Sequence, residues 1–318
     1  MAWKAYQPPR QKEPPNKGRI LAQLREKIAD ARSWRGESLA SEWRFVLTAD
    51  CLAALSAADD GIDLHCRAAL RPVAGALEAG PGFAVIDGLE AGRPSLQALQ
   101  AAYWHLGRCL GEPLAQNIAG DLLYDVRDTG RDVTTGARFS VTNAESTFHN
   151  DNAFSPRIPD YVGLLCVRTA RAVRTQLISA CALHDALLEE YPEILAALYG
   201  DFCFDRRGQY NEGENPVHRA PIMDWDGKEL TMRYLRYYIQ VGHERASLPM
   251  STAQTEALQR VESLLRRASL RIEFELSPGQ MLFVNNHWIL HNRTAFEDYE
   301  DLYLRRHYIR LWLGRRGD

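Results

Sequence analysis

Two short stretches far apart in the chain hold residue types that can bind a metal. Phe148-His149-Asn150-Asp151-Asn152 sets an imidazole and a carboxylate two positions apart, and Asn286-His287-Trp288-Ile289-Leu290-His291-Asn292-Arg293 supplies two more imidazoles. Residues two apart on a strand point the same way. His149 and Asp151 can therefore reach one ion from one strand end, with the third ligand arriving from elsewhere in the fold. Two imidazoles and one carboxylate on one side of an ion leave three positions open for oxygen and substrate, a set that favours non-haem Fe(II). A His-x-Asp pair alone is common in loops and on surfaces and specifies no metal. His287 and His291 are four apart and would mimic a helical pair of zinc ligands. Val284-Asn285-Asn286 reads instead as a strand end and loop, which makes His287 a bystander or a group behind the ligands.

The end of the chain, Arg305-Arg306-His307-Tyr308-Ile309-Arg310, reads as a strand running to Leu313. Alternation puts Arg306, Tyr308, Arg310 and Trp312 on one face, and His307, Ile309, Leu311 and Leu313 on the other. The second face is mostly apolar and suits packing against helices. Two arginines interleaved with Tyr308 and Trp312 belong to an interior face, where an anion is needed to justify them; the competing reading is a pair of solvated charges.

The elements that must position these groups differ between the two halves of the chain. Arg19–Arg32 reads as a helix with Leu21, Leu24 and Ile28 on one stripe. Thr48 caps a helix through Leu55, His65–Leu77 is helical, and Phe83–Ile86 is a strand before Asp87-Gly88. Ser95 opens a long helix to Leu110, ended by Gly111-Glu112-Pro113. Beyond residue 117 strands dominate: Asp121–Val126, Arg138–Thr142, Tyr161–Thr169, Thr175–Ala180, Phe202–Phe204, Ala220–Trp225 and Glu229–Tyr234 around an Asp226-Gly227 turn, Arg271–Leu276 and Met281–Val284. Ala182–Tyr199, interrupted at Pro192, and Ser251–Leu270 are helical. The pattern predicts a mixed α+β fold, with a double-stranded β-helix (jelly roll) core, a helical N-terminal layer and inserted helices.

Composition bounds the class. The chain has 318 residues, 46% hydrophobic and 25% charged, with net charge −3, which gives no reason to expect nucleic acid or an anionic membrane as partner. No apolar run approaches the roughly 20 residues of a membrane-spanning helix. Residues 1–17 are polar and proline-rich and read as a flexible arm rather than a secretory signal, ahead of a single domain over 18–318. The six cysteines are scattered, without a C-x-x-C pair, as expected for reduced thiols in a cytoplasmic protein.

Taken together, these motifs resemble the taurine dioxygenase (TauD/TfdA) family, the clavaminate-synthase-like Fe(II)/2-oxoglutarate oxygenases. Phe148-His149-Asn150-Asp151 looks like the family's first metal motif, and Asn286 to Arg293 like its Asn-x-x-x-x-His-x-Arg segment. Arg305 to Arg310 looks like its terminal Arg-Arg-x-x-x-Arg strand, and the likeness runs over about residues 80–315. It implies that His149, Asp151 and His291 hold Fe(2+), and that Arg306 forms a two-point ion pair with the distal carboxylate of the co-substrate 2-oxoglutarate. It further implies that Thr175 offers its hydroxyl to the same carboxylate, although the family's Gly-Gly-x-Thr is Ala172-Val173-Arg174-Thr175 here. The implied reaction consumes O2 and 2-oxoglutarate, releases succinate and CO2, and oxidises a C–H bond of a small molecule. Halogenating relatives replace the carboxylate ligand with a small residue, so Asp151 points to hydroxylation or desaturation.

The substrate is less constrained. Arg310 matches a family position that can grip an anionic group, Arg233 is a second candidate, and Glu145 lies four residues before His149. A carboxylate and a guanidinium across one cavity would suit a free amino acid or an amino-acid-like metabolite. Two other readings compete: a non-catalytic jelly-roll binding protein, and a zinc hydrolase on the same triad, which leaves Arg306 without a role. The span between Gly111 and Phe148, with Gly120, Gly130 and Gly136, suits a cover over the site. Oligomeric state has no signature in the sequence.

Overall fold

The structure, a computed structural model, describes residues 22–39, 42–57, 62–89, 95–127, 146–301 and 304–316. The expected arm, the 138–142 strand, Glu145 and residues 128–145 of the expected cover lie outside the described residues.

Strands, in chain order, are β1 (Arg44–Val46), β2 (Phe83–Asp87), β3 (Glu112–Leu114), β4 (Leu123–Val126), β5 (Ser146–His149), β6 (Tyr161–Arg168), β7 (Thr175–Ser179), β8 (Asp201–Asp205), β9 (Val217–Pro221), β10 (Met223–Trp225), β11 (Leu230–Met232), β12 (Arg271–Phe274), β13 (Met281–Asn285), β14 (Ile289–Arg293) and β15 (His307–Gly314). A larger sheet runs β1-β2-β13-β6-β15-β3, with β4 also paired to β15, and a smaller one runs β12-β7-β14-β5. β13 belongs to the larger sheet and β14 to the smaller, so the turn Asn286–Trp288 carries the chain from one sheet to the other. Two short hairpins, β8-β9 and β10-β11, complete the strands.

Helices cover the sheets where the apolar faces require it. Ile62–Glu78 and Leu96–Leu110 pack together behind the larger sheet, burying Leu70, Val73, Tyr103 and Leu106 against Ile309, Leu311 and Leu313 of β15. Contact is close: a methyl group on Gly107 would overlap the Leu311 side chain. Ser95 caps its helix by accepting from the Ala98 amide at 3.2 Å, and Ser251 and Gln254 form a reciprocal capping box ahead of Thr252–Leu265. Thr48 accepts the Cys51 amide at 3.3 Å at the head of Ala49–Ala57. Gly227 turns the β10-β11 hairpin at φ +99, the backbone region that its Asp-Gly sequence suits.

Two expectations are corrected. Residues 22–32 are not helical; they lie extended across the Ala180–Glu190 helix, the Ile28 amide donating to Asp185 Oδ1 at 3.0 Å and the Leu24 amide to the Tyr199 hydroxyl at 3.3 Å. Ile28 is buried and Leu24 half-buried by tertiary contacts rather than as one stripe of a helix. The strand read over Glu229–Tyr234 stops at Met232, and Arg236–Arg245 is a helix packed on β8. A Cβ on Gly242 would meet the Cys203 carbonyl, which is why a glycine sits there.

Candidate metal centre

β5 and β14 are antiparallel neighbours, with His149 directly opposite His291. Cross-strand partners project on one face, and the two imidazoles lie with centroids 4.3 Å apart. Asp151 follows just past the end of β5. Its Oδ1 lies 3.6 Å from His149 Nε2 and 3.7 Å from His291 Nε2. These separations are too long for hydrogen bonds but fit donors gathered around one ion at bonds of about 2 Å. His149 Nδ1 donates to the Thr147 carbonyl at 2.7 Å, which turns Nε2 toward the shared centre. The three donors fit a divalent metal and leave one side open.

Asparagines hold this corner. The Asn286 amide accepts from the Asp151 N–H at 2.8 Å and donates to the carbonyls of Asp151 and Pro159 at 2.9 and 3.1 Å. Asn150 donates to the Asn286 and Ile289 carbonyls at 2.9 and 3.1 Å. The His149–Asp151 turn is thus bolted to the β13–β14 turn that precedes His291. Asn152, at φ 58, adopts the left-handed conformation that asparagine tolerates. Asn150 and Asn286 were visible only as letters inside the motifs; their bonds join segments far apart in the chain and leave no periodic signal.

The opposite wall is β15. Asp151 Oδ2 accepts from Trp312 Nε1 at 2.7 Å and lies 3.1 Å from Arg310 Nη1. Arg310 also donates from Nε to Gln116 Oε1 at 2.8 Å, and Gln116 donates back to the Arg310 carbonyl at 2.8 Å. Burial alone would raise the Asp151 carboxyl; the Arg310 guanidinium, with the two histidines, overrides it and holds the group well below the usual carboxylate range. Burial, helped by the nearby His149, pushes the His291 imidazole down to about 3, so it is neutral and able to ligate.

A cavity joins these groups. Its walls include His149, Asp151 and His291, the arginines Arg293, Arg306 and Arg310, and Thr175, with Phe154, Leu235 and Tyr238 among the apolar lining. Arg306 is 5% exposed and meets no carboxylate at ion-pair distance among the described residues; its Nε has no partner. The guanidinium lies over the Tyr308 ring at 4.1 Å and the Phe296 ring at 5.4 Å. Burial lowers its pKa, the nearby Tyr308 and Asp298 offsetting only part of the desolvation. Thr175 pairs with Arg293 across β7 and β14 and shares the cavity.

The remaining candidates fall elsewhere. Arg233 is not among the cavity's lining residues. Its guanidinium donates to the carbonyls of Ser155 at 2.6 Å and Pro156 at 3.1 Å, bracing the loop beyond Asp151 rather than meeting substrate. His287 bridges Asp160 at 2.7 Å and Thr231 at 3.0 Å, away from the ion position. Trp312 and Gln116 are positioning groups that sequence reasoning left without a role. Strand parity had already set Trp312 on the arginine face, whereas nothing marked Gln116.

The model of the taurine catabolism dioxygenase TauD, TfdA family matches residues 51–312, and the chain belongs to that family. Over 244 residues it is 30% identical to FR-33289 synthase of Streptomyces rubellomurinus (strain ATCC 31215), covering 75% of this chain and 70% of that one. Asparagine oxygenase, solved with Fe(II), 2S,3S-3-hydroxyasparagine and succinate, superposes with TM-score 0.66 at 21% identity, covering 86% of this chain and 93% of that one. The non-heme iron oxygenase OrfP, solved with Fe, succinate and (3S)-hydroxy-L-Arg, gives 0.64 at 17% identity, over 86% and 95% of the two chains. The family assignment makes the chain an Fe(II)- and 2-oxoglutarate-dependent oxygenase.

Proposed function

We propose that the protein hydroxylates an amino-acid-like small molecule, with His149, Asp151 and His291 as the iron ligands. The observation that carries the site assignment is the convergence of this triad and the buried Arg306 on one cavity. The bound iron supplies the activation of O2 that protein side chains cannot. Arg306 would receive the distal carboxylate of 2-oxoglutarate as a forked ion pair, with the Thr175 hydroxyl beside it. Arg310 and Trp312 hold Asp151 chiefly through Oδ2, which leaves Oδ1 toward the two imidazoles, where it would bind the ion. Phe154, Leu235 and Tyr238 exclude water around the reacting carbon.

The substrate class is supported by the products named in the asparagine oxygenase and OrfP structures, both hydroxylated amino acids. Arg310 remains the residue best placed to meet an anionic substrate group, since its Nη2 is buried without a partner and the side chain lines the cavity. The two facing sheets are read as the jelly-roll core of a single catalytic domain over 18–318. All six cysteines are free thiols, in keeping with a cytoplasmic setting, and no described helix is long and apolar enough to cross a membrane.

Succinate release from 2-oxoglutarate under air, with a panel of free and derivatised amino acids, tests the assignment. Substrate-dependent succinate in wild type and none in Asp151→Ala is the expected result. Turnover of sulfonates or aryloxy acids alone would remove the substrate class. Hydrolysis without 2-oxoglutarate would remove the reaction.

A further inference from the structure

A second group of metal-binding side chains lies on the helical layer, outside the cavity. Asp63, in the first turn of Ile62–Glu78, and His105 and Cys109 of Leu96–Leu110 bring an oxygen, a nitrogen and a sulfur within 4.8 Å of one another. None of the three lines the cavity. His105 and Cys109 are four apart and share a helix face, and the facing helix supplies Asp63. Asp63 Oδ1 lies 2.6 Å from His105 Nε2, yet this buried nitrogen makes no hydrogen bond, because the oxygen is off the ring N–H direction. The other Asp63 oxygen reaches Arg67 only at 4.0 Å.

The donor set discriminates between ions. A sulfur ligand disfavours Mg2+ and Ca2+, while thiolate, imidazole and carboxylate together suit Zn2+. Donors of a tetrahedral zinc sit about 3.3–3.8 Å apart, so side-chain torsion must open the 2.6 Å Asp63–His105 separation and draw in donors that lie up to 4.8 Å apart to seat the ion. We propose that Asp63, His105 and Cys109 form a second, structural site for a zinc-class divalent ion, with water in the outward position.

Binding replaces the Cys109 S–H bond with a sulfur–metal bond and releases one proton to solvent. Without an ion, burial and then Asp63 push this thiol up to about 11, so it is protonated and unreactive at neutral pH. The site would pin together the two helices whose inner faces pack on Leu311 and Leu313 of β15. It thereby stiffens the layer behind Arg306 and Arg310 without touching the iron ligands.

Cobalt distinguishes this site from the first. The triad of His149, Asp151 and His291 contains no sulfur, so it cannot give a thiolate-to-Co2+ charge-transfer band. Metal-free full-length protein titrated with Co2+ should bind two equivalents and develop that band in the near ultraviolet. Cys109→Ser should abolish the band and His105→Ala weaken it at least tenfold in Co2+ affinity. Asp151→Ala should keep it, as should Cys51→Ser, which tests the buried Cys51–Cys66 pair as an alternative sulfur source. Zn2+ should displace the cobalt and raise the Tm of Asp151→Ala by about 3–5 °C, with no such rise when Cys109→Ser is added. A single equivalent bound, no band, or a band that survives Cys109→Ser overturns the proposal and leaves His105 and Asp63 as an ion pair only. Succinate production by Cys109→Ser within about twofold of wild type keeps the oxygenase reading separate from either outcome.

Discussion

Trp312 and Asp151 are joined by an indole N–H donating to Oδ2 at 2.7 Å, on the oxygen that also lies 3.1 Å from Arg310. One carboxylate oxygen is thereby occupied by β15, and the other is turned toward both imidazoles. Groups behind a metal ligand of this kind typically contribute 10–100-fold to metal affinity. Trp312→Phe keeps the ring and removes the donor. Its Fe(II) dissociation constant, measured anaerobically, should rise about 10–100-fold with the fold retained by circular dichroism. An unchanged constant would show that Arg310 alone orients the carboxylate.

Arg306 should act on the co-substrate and not on the ion. A buried cation that loses its anionic partner, or the reverse, costs about 2–5 kcal/mol, and a lysine cannot reproduce the planar fork. Arg306→Lys is expected to raise KM for 2-oxoglutarate about 100-fold while Fe(II) affinity changes less than threefold. Steady-state kinetics and metal titration read the two quantities separately. Equal losses in both would mean that Arg306 supports the ligands themselves.

Asn286 carries three hydrogen bonds to the backbone around Asp151, so its loss should be felt in both stability and metal binding. Asn286→Ala leaves the Asp151 N–H and two carbonyls unpaired in a buried corner, at about 1–3 kcal/mol for each group fully stranded. Unfolding midpoint and Fe(II) affinity should fall together. A variant that lost iron at unchanged stability would place the effect on the ion and not on the turn.

The contrast between Asn286 and Trp312 explains what was legible in the sequence. Strand alternation is local, so the face shared by Arg306, Tyr308, Arg310 and Trp312 could be read before any fold was known, and so could the His149–Asp151 spacing. Caps at Ser95 and Ser251 and the Asp226-Gly227 turn are also local chemistry. The bonds of Asn150 and Asn286, and the Gln116 brace on Arg310, join segments more than a hundred residues apart and have no period. Residues 22–32 misled for the same reason: helical spacing of Leu24 and Ile28 is satisfied by an extended chain once Asp185 and Tyr199 take its amides. The Arg236–Arg245 helix has no side-chain cap at Leu235, and its entry reads as alternation until its packing on β8 is known.

Acid should destabilise the metal-free protein through His291. Its imidazole is held at about 3 by burial, against about 6.5 in an unfolded chain. Between those values the unfolded chain binds the extra proton, so stability is complete above about pH 6.5 and is lost as pH falls toward 3. At pH 5 the loss relative to pH 7 is on the order of 2 kcal/mol. Asp151 works in the same direction lower down, because its depressed carboxyl contributes stability that is lost once pH falls below the ordinary aspartate value. His291→Gln should flatten the fall in urea midpoint between pH 7 and pH 5. A variant with the wild-type acid slope would assign that slope to other groups.

Ala172 occupies a left-handed backbone conformation, φ +56, at the first position of the segment that resembles Gly-Gly-x-Thr. A side chain there costs about 1–2 kcal/mol relative to the right-handed region, a cost glycine does not carry. Glycine also loosens the unfolded chain, by about 0.4–1 kcal/mol, which offsets part of the gain. Ala172 is exposed, so no packing is lost. The turn is tied independently: the Arg174 amide donates to Thr294 Oγ1 at 2.9 Å and the Thr294 amide to the Arg174 carbonyl at 3.0 Å. Ala172→Gly should therefore stabilise by about 0.5–1 kcal/mol and raise Tm by about 1–2 °C. Because Thr175 follows directly on that tied turn, KM for 2-oxoglutarate should stay within twofold of wild type. A lower Tm with a raised KM would mean that the alanine methyl, and not the Thr294 bonds, keeps this turn in place over the cavity.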